Sequence, residues 1–314
     1  MRRSRMFVLG ATLTALVLLL GACGSGEDDT SNTPSTGGSN EPVERGEVTV
    51  GVSGAFAESQ IIAEMYAQVL ENAGYTVDTQ LDLDSREISF KALERGEIDV
   101  VPEYLGSLLL FLDPEAEASG DPSQNASLLE PLLAEKEVTL LEPAPAQDQN
   151  AFVVTQETAD ADDLAAMSDL ASVAGDMTLG GPPECPERPF CIPGLKKVYG
   201  AEFADFKPLD VGGPLTVEAL ASGEIDVGLL FSTDPVIQAR GFVLLEDDQQ
   251  LQTAENITPV VGNSVLNDEI TELLNAVSAS LTTENVTALV GQVVNDKEDP
   301  ADVALQHLQD NGLL

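Results

Sequence analysis

An α/β fold in two similar halves is predicted by three features of the sequence. From residue 47 onward, short apolar strands alternate with segments of helical period. The stretch "ALERGEIDV", Ala92 to Val100, recurs 127 positions later as "ALASGEIDV", Ala219 to Val227, with seven of nine letters unchanged. The register extends to Tyr104 and Phe231, so an aromatic stands at the same place in both halves.

In the first half "EVTVGV" predicts a strand. The segment "ESQIIAEMYAQVLENAG" follows as a helix, with Ile61, Ile62, Met65, Tyr66, Val69 and Leu70 on one face and Gly74 as its stop. "YTVDTQLDL" is the next strand. In "DSREISFKALERG" Asp84 or Ser85 caps a helix that Gly96 ends, and "EIDVV" continues as a strand. The second half repeats the plan: "DMTLGG" as strand, a proline-rich cysteine loop, "IPGLKKVYG" as helix, "FADFKPLDV" leading to a strand, "TVEALASG" as helix and "EIDVGLLF" as strand. Ligands of such folds gather at the carboxyl ends of strands and the amino ends of helices. Tyr104 and Phe231 fall just beyond the carboxyl ends of the repeated strands. They either face a shared cleft or sit in separate cores of a duplicated unit.

The amino end, "MRRSRMFVLGATLTALVLLLGAC", joins three arginines to an apolar run too short for a membrane span, which is the pattern of an export signal over residues 1–22. Its "LGAC" ending resembles a lipobox, which makes Cys23 a lipidation site, with a plain cleavage site as the alternative. Residues 23–46 are Gly, Ser, Thr, Pro and acid, a flexible tether. Loss of residues 1–22 removes three of the 14 basic side chains and leaves 11 against 54 acidic ones, a formal charge near −43. Such a surface repels phosphate backbones and excludes nucleic acid as a partner.

Cys185 and Cys191, in "PPECPERPFCIPG", suggest a disulfide closing a small loop. Metal binding is the weaker alternative, since no further ligands lie nearby. His307, the one histidine, lies in a helical tail and is expected on its surface. No G-x-S-x-G or Walker-type motif is present. No enzyme, cofactor or metal is expected.

Several segments together resemble a known family: "GAFAESQIIAEMYAQVLENAGY", "SREISFKALERGEIDVVPEYLGSLL", "GGPPECPERPFCIPGLKKVYG", "EALASGEIDVGLLFSTD" and "VALQHLQDNGLL". In this order they resemble the substrate-binding lipoproteins of osmoprotectant (glycine betaine, carnitine, choline) ABC importers, and the cysteine loop resembles the actinobacterial branch. The resemblance implies a two-lobed type II periplasmic-binding-protein fold with its ligand between the lobes. Lobe I would hold residues 47–149 and 252–314, and lobe II residues 150–251, with crossovers near "QDQNAFVV" and "LLEDDQQLQTAEN". It implies a monomer, exported and lipid-anchored to the outer face of the cell membrane, that takes a small osmolyte and hands it to an ABC permease and its ATPase.

The resemblance also implies the site. A quaternary amine offers no N–H, so aromatic faces hold it by cation–π attraction. Tyr104 in "PEYLGS" matches a cage tyrosine, and Phe231 matches the second-lobe tyrosine that precedes "STD", where Asp234 follows. Arg188 in "PERPF" would receive a ligand carboxylate. Ser59, Gln60, Ser85 and Arg86 lie at helix starts expected to face the cleft, or serve as ordinary caps. Asn150 and Thr216 stand where relatives carry aromatics. There is no tryptophan, and Tyr66 and Tyr199 fall on apolar helix faces, so the cage is thin. Asn150 and Thr216 would suit a more polar solute, such as an amino acid or an ectoine-like compound. A non-transport envelope lipoprotein is the remaining alternative.

Overall fold

The computed structural model describes residues 45–53, 56–83 and 85–314. The signal expected at 1–22, Cys23, the tether up to residue 44, and Asp84 lie outside the described residues. The chain runs through β1 (Glu47–Ser53), α1 (Ala57–Ala73), β2 (Thr76–Leu83), α2 (Arg86–Glu94), β3 (Val100–Tyr104), α3 (Leu105–Leu112), α4 (Pro122–Ala134) and β4 (Val138–Leu140). It then passes through β5 (Asn150–Thr155), α5 (Gln156–Asp162), β6 (Thr178–Gly181), the short α6 (Ile192–Gly194), β7 (Asp205–Pro208), α7 (Pro214–Ala221), β8 (Val227–Phe231), α8 (Val236–Arg240) and β9 (Phe242–Leu244). It returns through β10 (Ile257–Gly262) to α9 (Asp268–Ser280), α10 (Thr283–Val294) and α11 (Pro300–Asp310).

The strands sort into two sheets of one plan, β2-β1-β3-β10-β4 and β7-β6-β8-β5-β9. In each, the first three strands are parallel and the fourth runs antiparallel to both neighbours. That antiparallel strand is in both sheets the one entered from a crossover. β10 sets Ile257 opposite Tyr104, and β5 sets Asn150 opposite Phe231. The two crossovers run side by side, with Gln149 Nε2 donating to Thr253 O at 2.8 Å and Asp148 N–H to Glu255 O at 3.1 Å. Both aromatics therefore end their strands beside the hinge.

The repeated letters have a structural job in each lobe. Gly96 and Gly223 take φ of +66° and +70°, the left-handed conformation that stops α2 and α7. Ile98 packs on Gly51 of β1, where an added Cβ would stand 2.6 Å from its Cδ1; Ile225 does the same over Gly180 of β6, at 2.4 Å. Asp99 accepts from Thr49 N–H at 2.8 Å, and Asp226 from Thr178 N–H at 2.8 Å, so each carboxylate satisfies a strand amide of its neighbour. Because the Glu-Ile-Asp triplet is used in this way, β3 and β8 begin at Val100 and Val227. The sequence had placed both strand starts three residues earlier, and Tyr104 and Phe231 are the last residues of their strands rather than beyond them.

The predicted apolar face of α1 is fully buried, Tyr66 included, and α9, α10 and α11 share its core through Leu274, Val277, Val286 and Leu308. Gly74, at φ +99°, ends α1 as expected. Ser85 holds the cap position of α2, but its side chain makes no cap hydrogen bond. The helix expected over 192–200 is instead a single turn followed by a π-helical turn, Leu195–Tyr199. Pro193 stands in the first turn, where it is tolerated, and the Cys185–Cys191 disulfide, with Cα atoms 5.3 Å apart, closes the loop just before the segment. His307 is not a surface residue: it is 7% exposed and lies 3.0 Å from Ser280 Oγ of α9. No described helix is long and apolar enough to cross a membrane.

Candidate functional site

A cavity of about 260 Å³ opens between the two strand ends and the hinge, with Tyr104 and Phe231 both in its wall. Tyr104 is brought there as the last residue of β3. Its hydroxyl donates to Glu58 Oε1 at 2.6 Å and lies 3.2 Å from Ser59 Oγ, both in the first turn of α1. Phe56, immediately before α1, meets Phe231 edge to face, with ring centres 5.5 Å apart and planes at 79°. The aromatic wall therefore has three members, Phe56 and Tyr104 from the first lobe and Phe231 from the second.

The rest of the wall is charged. Arg86, opening α2, grips Glu103 of β3 through Nε at 2.9 Å and Nη2 at 2.9 Å. Glu255 reaches from the second crossover to the start of α3, accepting from Ser107 N–H at 3.0 Å and Ser107 Oγ at 2.9 Å. Asp148, on the first crossover, accepts from Thr233 N–H at 3.2 Å. Glu58, behind Tyr104, is 4% exposed.

Burial governs how these groups ionise. It raises Glu58, and it raises Asp148 well above the carboxylate range with the Glu58 charge adding to the effect. Glu255 is pushed up to about 7 by burial, against the opposing effect of its Ser107 hydrogen bonds. The Tyr104 hydroxyl is held well above its ordinary value, first by burial and then by the Glu58 and Asp148 charges. Burial works against the Arg86 charge, but the adjoining Glu103 carboxylate outweighs it.

A second chamber, about 530 Å³, continues past Arg86, Asp148 and Phe231 to the disulfide loop. Arg188 lines it, exposed and without an ion pair among the described residues. Asn150 lines it too, its Nδ2 donating to Gln252 Oε1 at 3.1 Å, while Gln252 Nε2 donates to Phe190 O at 3.0 Å. That relay ties the loop carrying Arg188 to both crossovers. Because Arg188 is the cation available to a carboxylate here, Arg188→Ala is expected to weaken binding of a ligand that carries a carboxylate several-fold in calorimetric titration and to leave one without a carboxylate unchanged. Equal losses for both would assign Arg188 to holding the loop.

Of the residues expected at the site from sequence, Tyr104, Phe231, Ser59 and Arg86 meet at the inner chamber, and Arg188 and Asn150 at the outer one. Four lie elsewhere. Thr216 is fully buried, its hydroxyl donating to Asp210 Oδ1 at 2.7 Å as part of the cap of α7. Gln60 turns about 100° away from Ser59 along the helix and donates to Leu81 O at 3.3 Å. Asp234 accepts from Val236 N–H at 2.9 Å and caps α8. Ser85 lines neither chamber. Sequence reasoning missed Phe56, Glu58, Glu103, Ser107, Asp148 and Glu255. Phe56 carried a usable signal, an aromatic directly before a helix start already expected at the cleft. Among the described residues no group of three His, Cys, Asp or Glu side chains is disposed to hold a metal ion.

Two α/β lobes joined by paired crossovers, with an aromatic wall contributed by both, are the build of a solute-binding protein. Residues 46–310 match the family described as the substrate binding domain of ABC-type glycine betaine transport system, and the chain belongs to that family. It is 27% identical over 267 residues to the glycine betaine-binding protein YehZ of Escherichia coli (strain K12), covering 81% of this chain and 88% of that protein. It is 25% identical over 317 residues to the carnitine transport binding protein OpuCC of Listeria monocytogenes serotype 1/2a, covering 99% of this chain and 98% of that one. A crystal structure described as a glycine betaine/carnitine/choline ABC transporter superposes with a TM-score of 0.74 at 27% identity, over 85% of this chain and 99% of that chain.

Proposed function

We propose that the protein captures a small quaternary-amine osmolyte outside the cell and delivers it to an ABC permease and its ATPase. The observation that carries this is the three-ring wall of Phe56, Tyr104 and Phe231 around a cavity of about 260 Å³ in a chain of this family. Aromatic faces attract a cation that cannot donate a hydrogen bond, at about 0.5 to 2 kcal/mol per ring according to desolvation. Two of the rings come from one lobe and one from the other, so a bound cation holds the lobes together. The closed form is then the one the permease recognises.

In this reading lobe I comprises 47–149 with 252–314, and lobe II 150–251. The protein works as a monomer of the actinobacterial branch, tethered through lipid on Cys23 after removal of residues 1–22. A polar solute finds little support, because Thr216 is committed to Asp210 and Asn150 to Gln252. A thermal-shift panel of quaternary amines, ectoines, amino acids and sugars tests the proposal, since a ligand that binds only the native state raises its melting temperature. A rise confined to quaternary amines is expected. A rise with amino acids or sugars alone would overturn it.

A further inference from the structure

The first lobe has two groups suited to a ligand carboxylate, the Arg86 guanidinium and the amino end of α3. Neither is free. Glu103 takes Arg86 through both Nε and Nη2. The first three amides of α3 are also taken from within the chain: Leu105 N–H donates to Asn256 O at 3.3 Å, Gly106 N–H to Ala254 O at 3.0 Å and Ser107 N–H to Glu255. These carboxylates are held in place by the fold, since Glu103 lies within β3 opposite Thr258 and is 4% exposed.

We propose that this cleft selects a monocation such as choline over a zwitterion such as glycine betaine, because Glu103 and Glu255 already occupy the positions that would receive a ligand carboxylate. The inference rests on the proposed quaternary-amine function and specifies its ligand. Glu103 and Asp148 line the inner chamber beside Arg86, Glu58 stands behind the Tyr104 hydroxyl, and Glu255 lines the outer chamber. The outer chamber adds Glu87 and Glu184 against Arg188. A trimethylammonium head supplies positive charge where it is short. A carboxylate one or two bonds farther along the ligand would find Arg86 taken by Glu103 and the α3 amides taken within the chain, with the solvated Arg188 left to receive it. The two relatives named above carry the names of zwitterions, so this cleft departs from them in the charge it tolerates.

Calorimetric competition on the purified full-length protein tests the inference with three probes: choline, glycine betaine, and the carbon isostere of choline, in which a tert-butyl group replaces trimethylammonium. Choline is expected to bind at least tenfold more tightly than betaine, and the neutral isostere more weakly than choline. Glu103→Gln, which releases Arg86 while keeping a hydrogen-bond acceptor, should narrow the choline preference by strengthening betaine. Betaine binding as tightly as choline would overturn the inference and leave the quaternary-amine function standing. Failure of folded protein to bind either ligand would overturn both. If Glu103→Gln does not fold, Glu103→Asp, which shortens the carboxylate away from Arg86, decides: an unchanged preference in the folded variant rejects the assignment to Glu103.

Discussion

Tyr104→Ala lowers affinity for a quaternary amine at least tenfold, the largest expected loss for any single residue of the wall. Two effects combine. The ring is one of three cation–π faces, and a face in a partly dry cavity contributes up to about 2 kcal/mol, where 1.4 kcal/mol is already tenfold. The hydroxyl also donates to Glu58 Oε1, so the alanine removes a hydrogen bond from a buried carboxyl. Tyr104→Phe separates the two effects. It keeps the ring and is expected to hold affinity within about threefold, while losing about 1–2 kcal/mol of stability from the lost hydrogen bond to Glu58. Titration calorimetry gives the affinities and denaturant unfolding the stabilities. Wild-type affinity in Tyr104→Ala would remove Tyr104 from the site.

Glu255→Gln is expected to stabilise the protein above neutral pH and to change little in acid. Burial raises the Glu255 carboxyl from 4.5 to about 7. A carboxyl whose folded value is raised favours folding when protonated, so its contribution is fully present below pH 4.5 and is lost as pH rises through about 7. At about 1.4 kcal/mol per pH unit the loss amounts to about 3 kcal/mol. Glutamine carries no charge to bury and can still accept from Ser107. Unfolding by denaturant at pH 4 and pH 8, compared between the two proteins, isolates this group, because Asp148 and Glu58 titrate in both. The wild type should fall behind the variant as pH rises. A gap independent of pH would mean that Glu255 ionises as an exposed carboxylate does.

The α/β plan, the glycine stops and the two strand-end aromatics could be read from sequence because each rests on local periodicity or on the internal repeat. Tyr104 and Phe231 were recoverable for a topological reason: equal offsets within equal sheet plans bring them to equivalent ends. The acidic half of the wall was hidden by composition. Glu103, Asp148 and Glu255 are three among 54 acids, and nothing local distinguishes a carboxylate facing the cleft from one facing water. Thr216 and Gln60 were misplaced for a different reason. Being near a helix start fixes a residue's height along the axis, whereas the helical rotation decides which way it faces, and Asp210 and Leu81 claim those directions.

The sharing of strands across the hinge also orders assembly. All five strands of the second sheet come from one continuous stretch, β5 to β9, so that lobe can close as soon as residue 244 has emerged. The first sheet waits. Without β10 its β4 has no neighbour and β3 has an open edge, and β10 arrives more than a hundred residues after β4. Closure of so long a loop makes the amino-terminal lobe the later and slower one to fold. Until residue 262 is in place, that unfinished edge stays open to other chains.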